Sequence, residues 1–199
     1  MNNYPFFYFY DLKFDARNIL EFVNTIPKED WIGPHIGNYD PDVEITTHEA
    51  DDKLWTANNN KTDFTQCNEI SKIAKYFSTS NRKFYQGMMI KKSINGYKSP
   101  FHPLMQSVDY DKKHNIVRTF DIIVPIQGGF IENPLEAIDT KTNEHHTLVP
   151  KGLAFMVPND PSWHYSWGET VYDFRYTLHL RGVMPVKYEM MKGLYYKDV

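Results

Sequence analysis

Two side chains near the end of the chain have the types and the spacing to hold a metal ion and an anion. His164 lies in PNDPSWHYSW, and Arg175 follows it eleven residues later. A lone histidine is more often structural than a ligand, so His164 needs partners. The candidates are His102 in SPFHPL and the acidic stretch of Asp109 and Asp111 with His114. First-row metals in oxygenases are commonly held by two imidazoles and one carboxylate.

Arg175 belongs to a stretch in which polar and apolar residues alternate, as they do along a strand with one polar face. Two interpretations fit a polar face. It is either an ordinary solvent-facing side, or a barrel interior that holds a carboxylate ligand with Arg175 as the forked donor and Thr177 as a hydroxyl donor. The polar members of the stretch are Asp173, Arg175, Thr177 and His179, and the apolar members are Phe174, Tyr176, Leu178 and Leu180.

A second predicted strand begins at Ile116, and period-2 geometry puts Arg118 on one face of it with Phe120, Ile122 and Val124. An arginine among apolar side chains either extends its charged end to solvent or neutralises an anion inside a pocket. Both possibilities remain open for Arg118.

The elements that must position these side chains are mainly short strands. After residue 83, β-branched and aromatic runs recur, separated by clusters of Gly, Pro, Asn and Asp, without helical periodicity between them. Such a series predicts an antiparallel sandwich or barrel. The predicted strands cover residues 84–91, 116–126, 129–138, 146–149, 153–157, 163–167 and 173–180.

Two helices precede the strands. Apolar residues at helical spacing predict one helix over residues 14–26, capped by Asp15 and stopped by Pro27, and a second over residues 68–77. With 199 residues we expect a single domain: a helical and loop part at 1–83, a β-barrel core at 84–181 and a C-terminal extension at 182–199.

Charge and cysteine content exclude several classes of partner. The 22 basic and 25 acidic residues give a net charge of -3, which offers no general attraction to nucleic acid or an anionic membrane. Cys67 is the sole cysteine, so no intrachain disulfide forms, and the apolar run at residues 6–10 is too short for a membrane span. We therefore expect a cytoplasmic protein.

The order of these features resembles the aspartyl/asparaginyl β-hydroxylase group of iron(II) and 2-oxoglutarate-dependent oxygenases. The resemblance covers roughly residues 84–181 and rests on five segments in this order: NGYKSPFH, VRTFDIIVPI, VPKGLAFMVP, WHYSW and FRYTLHL. It implies a double-stranded β-helix, the jelly-roll fold that cupins share, with N-terminal helices.

The resemblance also implies roles for single residues. His102 and His164 would bind Fe(II), and Arg175 with Thr177 would bind the distal carboxylate of 2-oxoglutarate. Arg118 would lie near the other end of this small-molecule co-substrate. The acceptor substrate would be an unidentified protein side chain or small molecule.

The third metal ligand departs from the family pattern. Many relatives have a carboxylate two residues after the first histidine, whereas Leu104 stands there in this chain. Asp109 or Asp111 could supply the carboxylate, water could take its place, or the site could be inactive. Because the interval from His102 to Arg118 is long, Asp109 could also occupy the position assigned to His102. The alternative function is a non-catalytic, cupin-like ligand-binding or assembly module that has lost its metal.

Overall fold

The computed structural model describes residues 7–9, 12–32, 53–77, 88–99, 101, 118–148, 154–158 and 163–184. At 7–9, 118–121, 148, 154–158 and 181–184 the backbone alone is described.

Two antiparallel sheets form the body of the protein. The larger has the strand order β1-β7-β4-β9-β3-β2 and the smaller the order β6-β5-β8. The predicted antiparallel β architecture is therefore confirmed. The strands are β1 (Phe7–Phe9), β2 (Leu54–Asn58), β3 (Met88–Ile94), β4 (Arg118–Gln127), β5 (Leu135–Asp139), β6 (His145–Leu148), β7 (Ala154–Pro158), β8 (Trp163–Trp167) and β9 (Phe174–Met184).

Both predicted helices form at the predicted places. Helix α1 (Ala16–Thr25) begins after Asp15, whose side chain accepts a hydrogen bond from the backbone N–H of Arg17, and it ends at Ile26, before Pro27. Helix α2 is Asn68–Phe77. The start of α1 is tied to α2 by a bond of 2.9 Å from the backbone N–H of Asp15 to the carboxylate of Glu69.

The helices cover one face of the large sheet, where the main hydrophobic core lies. Because side chains alternate along a strand, every second residue of β4 and β9 points to the helices. These residues pack with the buried faces of both helices: Ile122, Val124, Leu178 and Leu180 from the sheet, and Ile19, Val23, Ile70, Ile73 and Phe77 from the helices. The helices thus lie outside the β unit, as predicted.

The opposite face of the large sheet meets the small sheet. Ile123 of β4 is fully buried and packs with Trp163 and Tyr165 of β8 and with Leu135 and Ala137 of β5. We call this side of the large sheet the inner face, and the side of the small sheet that carries Trp163 and Tyr165 faces it.

The N-terminal part of the chain contributes strands as well as helices. Strand β1 pairs with β7 and strand β2 with β3, so residues from the region before position 84 form both edges of the large sheet. Strand β9 also continues to Met184, beyond the predicted end of the strand at 180 and of the barrel core at 181. Among the helices that the structure describes, none has the length and apolar character needed to cross a bilayer.

The packing of α2 generates a stability prediction. Ile70 is fully buried, so Ile70→Ala leaves a cavity and should lower the free energy of unfolding by about 2 to 5 kcal/mol in urea denaturation. Lys75→Ala, at an exposed position of the same helix, should change it by no more than about 0.5 kcal/mol. Equal effects of the two substitutions would contradict the packing of α2 on the sheet.

Candidate functional site on the inner face of the large sheet

The polar face predicted for the last long strand lies inside the protein. Arg175, Thr177 and His179 of β9 are 3%, 5% and 0% exposed, respectively. They alternate with Leu178 and Leu180, which pack with the helices, so they belong to the inner face. The interpretation as a solvent-facing strand is therefore wrong for these three residues, which lie in the interior of the protein. The binding of a carboxylate by Arg175 and Thr177 stays a prediction.

Strand pairing adds further polar residues to the inner face. Directly opposed residues in antiparallel strands share a face, with Cβ atoms about 4.5 to 5.5 Å apart. Ser93 of β3 is opposite Arg175, and Lys91 is opposite Thr177. Thr56 of β2 is in turn opposite Lys91.

Burial of polar side chains is concentrated on this face. Eight polar or charged residues are buried in the described part of the chain, and five of them lie here: Thr56, Ser93, Arg175, Thr177 and His179. Removing polar groups from water costs free energy unless hydrogen bonds replace the lost water contacts. A sheet face that concentrates such groups is a candidate ligand-binding surface.

Arg175 is held by the backbone of two loops. Its Nε donates to the carbonyl of Gly128 at 3.3 Å, and its Nη1 to the carbonyl of Gly168 at 2.9 Å. Its Nη2 donates to the carbonyls of Asn133 and Glu169 at 3.2 and 3.1 Å. A guanidinium carries five N–H donors, so four of them are directed at main-chain oxygens.

These loops are two of the connections between the two sheets. Gly128 and Asn133 lie between β4 and β5, and Gly168 and Glu169 between β8 and β9. Gly128 has a φ of 104°, and a Cβ there would lie 2.6 Å from the carbonyl oxygen of Phe174, so this position requires glycine. Arg175 therefore fixes two of the sheet-to-sheet connections, β4–β5 and β8–β9, against the edge of the inner face.

The surroundings of Arg175 also affect its charge. The guanidinium carbon lies 5.4 Å from the ring centre of Phe130 and 5.7 Å from that of Trp167. Burial lowers the pKa of Arg175 to about 10, and the side chain stays cationic at neutral pH. A buried positive charge thus lies at the edge of the inner face, beside these loops.

Thr177 and His179 form a buried polar pair deeper on the inner face. The hydroxyl oxygen of Thr177 lies 3.0 Å from Nε2 of His179, and the tautomer of the imidazole decides which atom donates. Thr56, two strands away, buries a hydroxyl that has no hydrogen-bond partner among the residues described. An unsatisfied buried hydroxyl costs about 1 to 3 kcal/mol, which makes a ligand atom a favourable partner.

His164 lies on a different surface. It alternates in β8 with the buried Trp163 and Tyr165, so its half-buried side chain is on the outer side of the small sheet, away from the inner face. Ile138 of β5 is directly opposite His164, and His145 of β6 is directly opposite Ile138, so these three residues form a row on the outer side of the small sheet.

The segment that leads to His102 runs close to this outer side. Ser99 accepts two hydrogen bonds there. Its carbonyl accepts from the Ser166 hydroxyl, and its hydroxyl oxygen accepts from the backbone N–H of Trp167 at 2.6 Å. The ring of Phe101 contacts that of His145 at 6.3 Å between centres. The chain therefore crosses the outer side of the small sheet just before position 102.

The other predicted ligands lie beyond the described residues. These are His102, Asp109 and Asp111, whereas Arg118 is described in its backbone only, as the first residue of β4, paired with Met184. Within the described ranges, no three His, Cys, Asp or Glu side chains come together as a metal site. The structure thus brings Arg175 and Thr177 to one face and does not bring His164 to that face.

Sequence reasoning assigned no role to Lys91, Thr56, Ser93 or His179. His179 had a detectable signal, because it continues the alternation that selected Arg175 and Thr177. Lys91, Ser93 and Thr56 had none, since their positions on the inner face follow from the register between strands that are distant in the sequence.

Comparisons with known proteins give a likeness of fold. No family model and no curated protein sequence matches this chain. The structure of a prolyl hydroxylase from Trichoplax adhaerens, in complex with a hypoxia inducible factor oxygen degradation domain peptide fragment, matches with a TM-score of 0.59 and 11% identity over 97% of this chain and 88% of that one.

A viral enzyme gives a similar result. The collagen prolyl hydroxylase of Paramecium bursaria Chlorella virus-1, solved as a 2OG complex, matches with a TM-score of 0.55 and 8% identity over 93% of this chain and 98% of that one. Both matches extend over nearly the whole of each chain. They confirm the predicted double-stranded β-helix with packed helices, and at these identities they carry the fold alone.

The bonds of Arg175 generate a prediction about stability. A lysine keeps the charge but lacks the planar fork, so Arg175→Lys should lose most of the four backbone bonds and lower the free energy of unfolding by at least about 2 kcal/mol in urea denaturation. Arg17→Lys, at a side chain that is 86% exposed, should change it by at most about 0.5 kcal/mol. Unaltered stability of the Arg175 variant would contradict a role in fixing the crossovers.

Proposed function

We propose that this protein is an iron(II)- and 2-oxoglutarate-dependent oxygenase that hydroxylates an acceptor still to be identified. One observation carries the proposal: a double-stranded β-helix, alike in fold over nearly its whole length to prolyl hydroxylases, buries Arg175, Thr177 and His179 on its inner face. A purely structural interior of this kind would favour apolar side chains.

The inner face suits an organic anion. Thr177 and Thr56 supply hydroxyls, and Lys91 and Arg175 supply positive charge, which together are the groups that recognise carboxylates. This chemistry is consistent with the predicted binding of 2-oxoglutarate by Arg175 and Thr177, with Arg118 near its other end. For Arg175 to be a ligand, its N–H groups would have to exchange backbone carbonyls for the carboxylate.

The metal ligands proposed from the sequence are His102 and His164, with Asp109, Asp111 or water as the third. The described residues alone do not supply a fitting metal site. The observation in favour of His102 and His164 is that the segment ending at Phe101 crosses the side of the small sheet on which His164 lies. When bound, iron(II) would supply the oxygen chemistry, and the protein would fix the reactants and exclude water.

The acceptor can be narrowed by chemical class. The motif order supports the aspartyl/asparaginyl β-hydroxylase group, whereas the two structures of similar fold are prolyl hydroxylases, one of them bound to a peptide. Peptides that contain Asp, Asn or Pro are therefore the first acceptors to test, followed by the free amino acids.

A second candidate is the non-catalytic, cupin-like binding module. It is favoured by the position of His164 on the outer side of the small sheet and by the four backbone bonds of Arg175. In that case the inner face would bind an anion without any reaction.

Metal and turnover measurements separate the two candidates. Protein purified without chelator should bind one iron(II) per chain and convert 2-oxoglutarate to succinate. His102→Ala and His164→Ala should each abolish iron binding, because two imidazoles are the minimum ligand set that the sequence predicts. His145→Ala should leave it unchanged, since this exposed residue shares the row of His164 on the outer side of the small sheet.

Circular dichroism of each variant controls for loss of fold. Iron binding that survives both His102→Ala and His164→Ala would overturn the ligand assignment. A wild-type protein that binds neither iron(II) nor 2-oxoglutarate would overturn the oxygenase, and binding of 2-oxoglutarate without iron or turnover would favour the module.

A further inference from the structure

Exposed apolar side chains are concentrated in two neighbouring loops. In the described part of the chain six large hydrophobic residues are exposed, and four of them lie in the β4–β5 and β8–β9 connections or directly after them. They are Ile131, Val171, Tyr172 and Phe174, at 75%, 46%, 50% and 39% exposure. Single exposed apolar residues are ordinary on a protein surface, whereas a contiguous group indicates an interaction site.

Ile131, Val171 and Tyr172 form one surface, which we call the loop patch. The ring of Tyr172 lies over Gly129, where a Cβ would be 3.0 Å from two ring atoms and 3.5 Å from Cγ2 of Val171. The hydroxyl of Tyr172 donates to the carboxylate of Glu132 at 3.4 Å. Ile131 stands between Gly129 and Glu132 in the same turn, so it lies beside the ring that spans them.

Main-chain hydrogen bonds fix both loops. The backbone N–H of Asn133 donates to the carbonyl of Gly129 at 2.9 Å and closes the first loop. In the second loop the backbone N–H of Thr170 donates to the carbonyl of Tyr97 at 2.8 Å. With the bonds that Arg175 makes to both loops, these contacts hold the loop patch in one shape before a partner binds, which reduces the entropy cost of association.

The exposed charges of the two loops are all negative. They belong to Glu132, Glu169 and Asp173. Arg175, the cation beneath these loops, is buried and directs its N–H groups to main-chain carbonyls. Phe174 is not counted in the loop patch, because the ammonium of Lys92 lies 4.2 Å from its ring centre. The loop patch is thus an apolar surface with carboxylates at its rim.

Charge selects among the possible occupants of this surface. An anionic bilayer, or a second copy of the chain presenting the same patch, would bring like charges together and oppose association. A polypeptide segment whose apolar side chains are flanked by Lys or Arg matches both the apolar centre and the acidic rim.

We propose that the loop patch docks a basic polypeptide segment of a partner protein. Ile131, Val171 and Tyr172 contact its apolar side chains, and the carboxylates at the rim face its cations. This inference does not rest on the proposed function, because none of these residues belongs to the inner face.

Two synthetic peptides test the proposal: one is built of Leu and Lys, and the other has Glu in place of every Lys. Their binding to metal-free protein is measured by fluorescence anisotropy, so that neither iron nor 2-oxoglutarate affects the result. The Leu/Lys peptide should bind, and the Leu/Glu peptide should bind at least tenfold more weakly. Added salt should weaken binding of the Leu/Lys peptide, because exposed charges are screened.

Two tyrosines supply a matched pair of variants. Tyr172→Ser removes an exposed ring from the loop patch, and Tyr76→Ser removes one from helix α2. Tyr172→Ser and Ile131→Ser should each weaken binding of the Leu/Lys peptide about tenfold through lost apolar contact, and Tyr76→Ser should leave it unchanged. Thermal denaturation checks the fold, and Ile131→Ser, at a largely exposed position, decides the matter if Tyr172→Ser does not fold.

The rim has its own pair of variants. Glu169→Gln should weaken binding of the Leu/Lys peptide by a few-fold at low salt, since it removes one exposed carboxylate of the rim. Glu21→Gln, at an exposed position of helix α1, should leave binding unchanged.

Several results would overturn the proposal. These are failure of the folded wild type to bind the Leu/Lys peptide, equal affinity for the two peptides, and unchanged affinity in both Ile131→Ser and Tyr172→Ser. Self-association of the wild type that Ile131→Ser abolishes, seen by sedimentation velocity, would make a second copy the occupant. Binding to phosphatidylserine vesicles that Ile131→Ser abolishes would make it a membrane, and either result would overturn the basic segment.

Discussion

The buried guanidinium of Arg175 is the interaction on which the arrangement of the two sheets depends. A cation removed from water is stable only when hydrogen bonds and other charges replace its hydration, and here four main-chain carbonyls and two aromatic rings do so. Because those carbonyls belong to two of the connections between the sheets, β4–β5 and β8–β9, satisfying one charge fixes the spacing between the sheets at these connections. The remaining inner-face groups are positioned within that spacing.

The two faces of strand β9 lie in different surroundings, one beneath the helices and one opposite the small sheet. Its apolar residues, including Leu178 and Leu180, complete the core beneath the helices, and its polar residues face the small sheet. The side of the small sheet that carries His164 is a third surface, separated from the inner face by Trp163 and Tyr165. The proposed anion-binding groups and the proposed metal ligand thus lie on different sides of the small sheet, which any catalytic arrangement must bridge.

Periodicity explains how much of this could be predicted from the sequence. Local patterns are enough to predict α2 with its observed limits, the Asp15 cap of α1 and the polar face of β9, because each depends on neighbouring residues alone. The four bonds of Arg175 could not be predicted, since they join loops that contain Gly128 and Gly168, 40 residues apart in sequence, and involve carbonyls that every residue has. The same holds for Lys91, whose place on the inner face depends on register with β9.

The central claim is that the inner face of the large sheet binds the dicarboxylate co-substrate. A crystal structure of the protein with 2-oxoglutarate and manganese(II), a redox-stable substitute for iron(II), tests it most directly. The account predicts 2-oxoglutarate between the two sheets, with one carboxylate against the inner-face strands β3 and β9. A ligand bound on the outer side of the small sheet, beside His164, would contradict it.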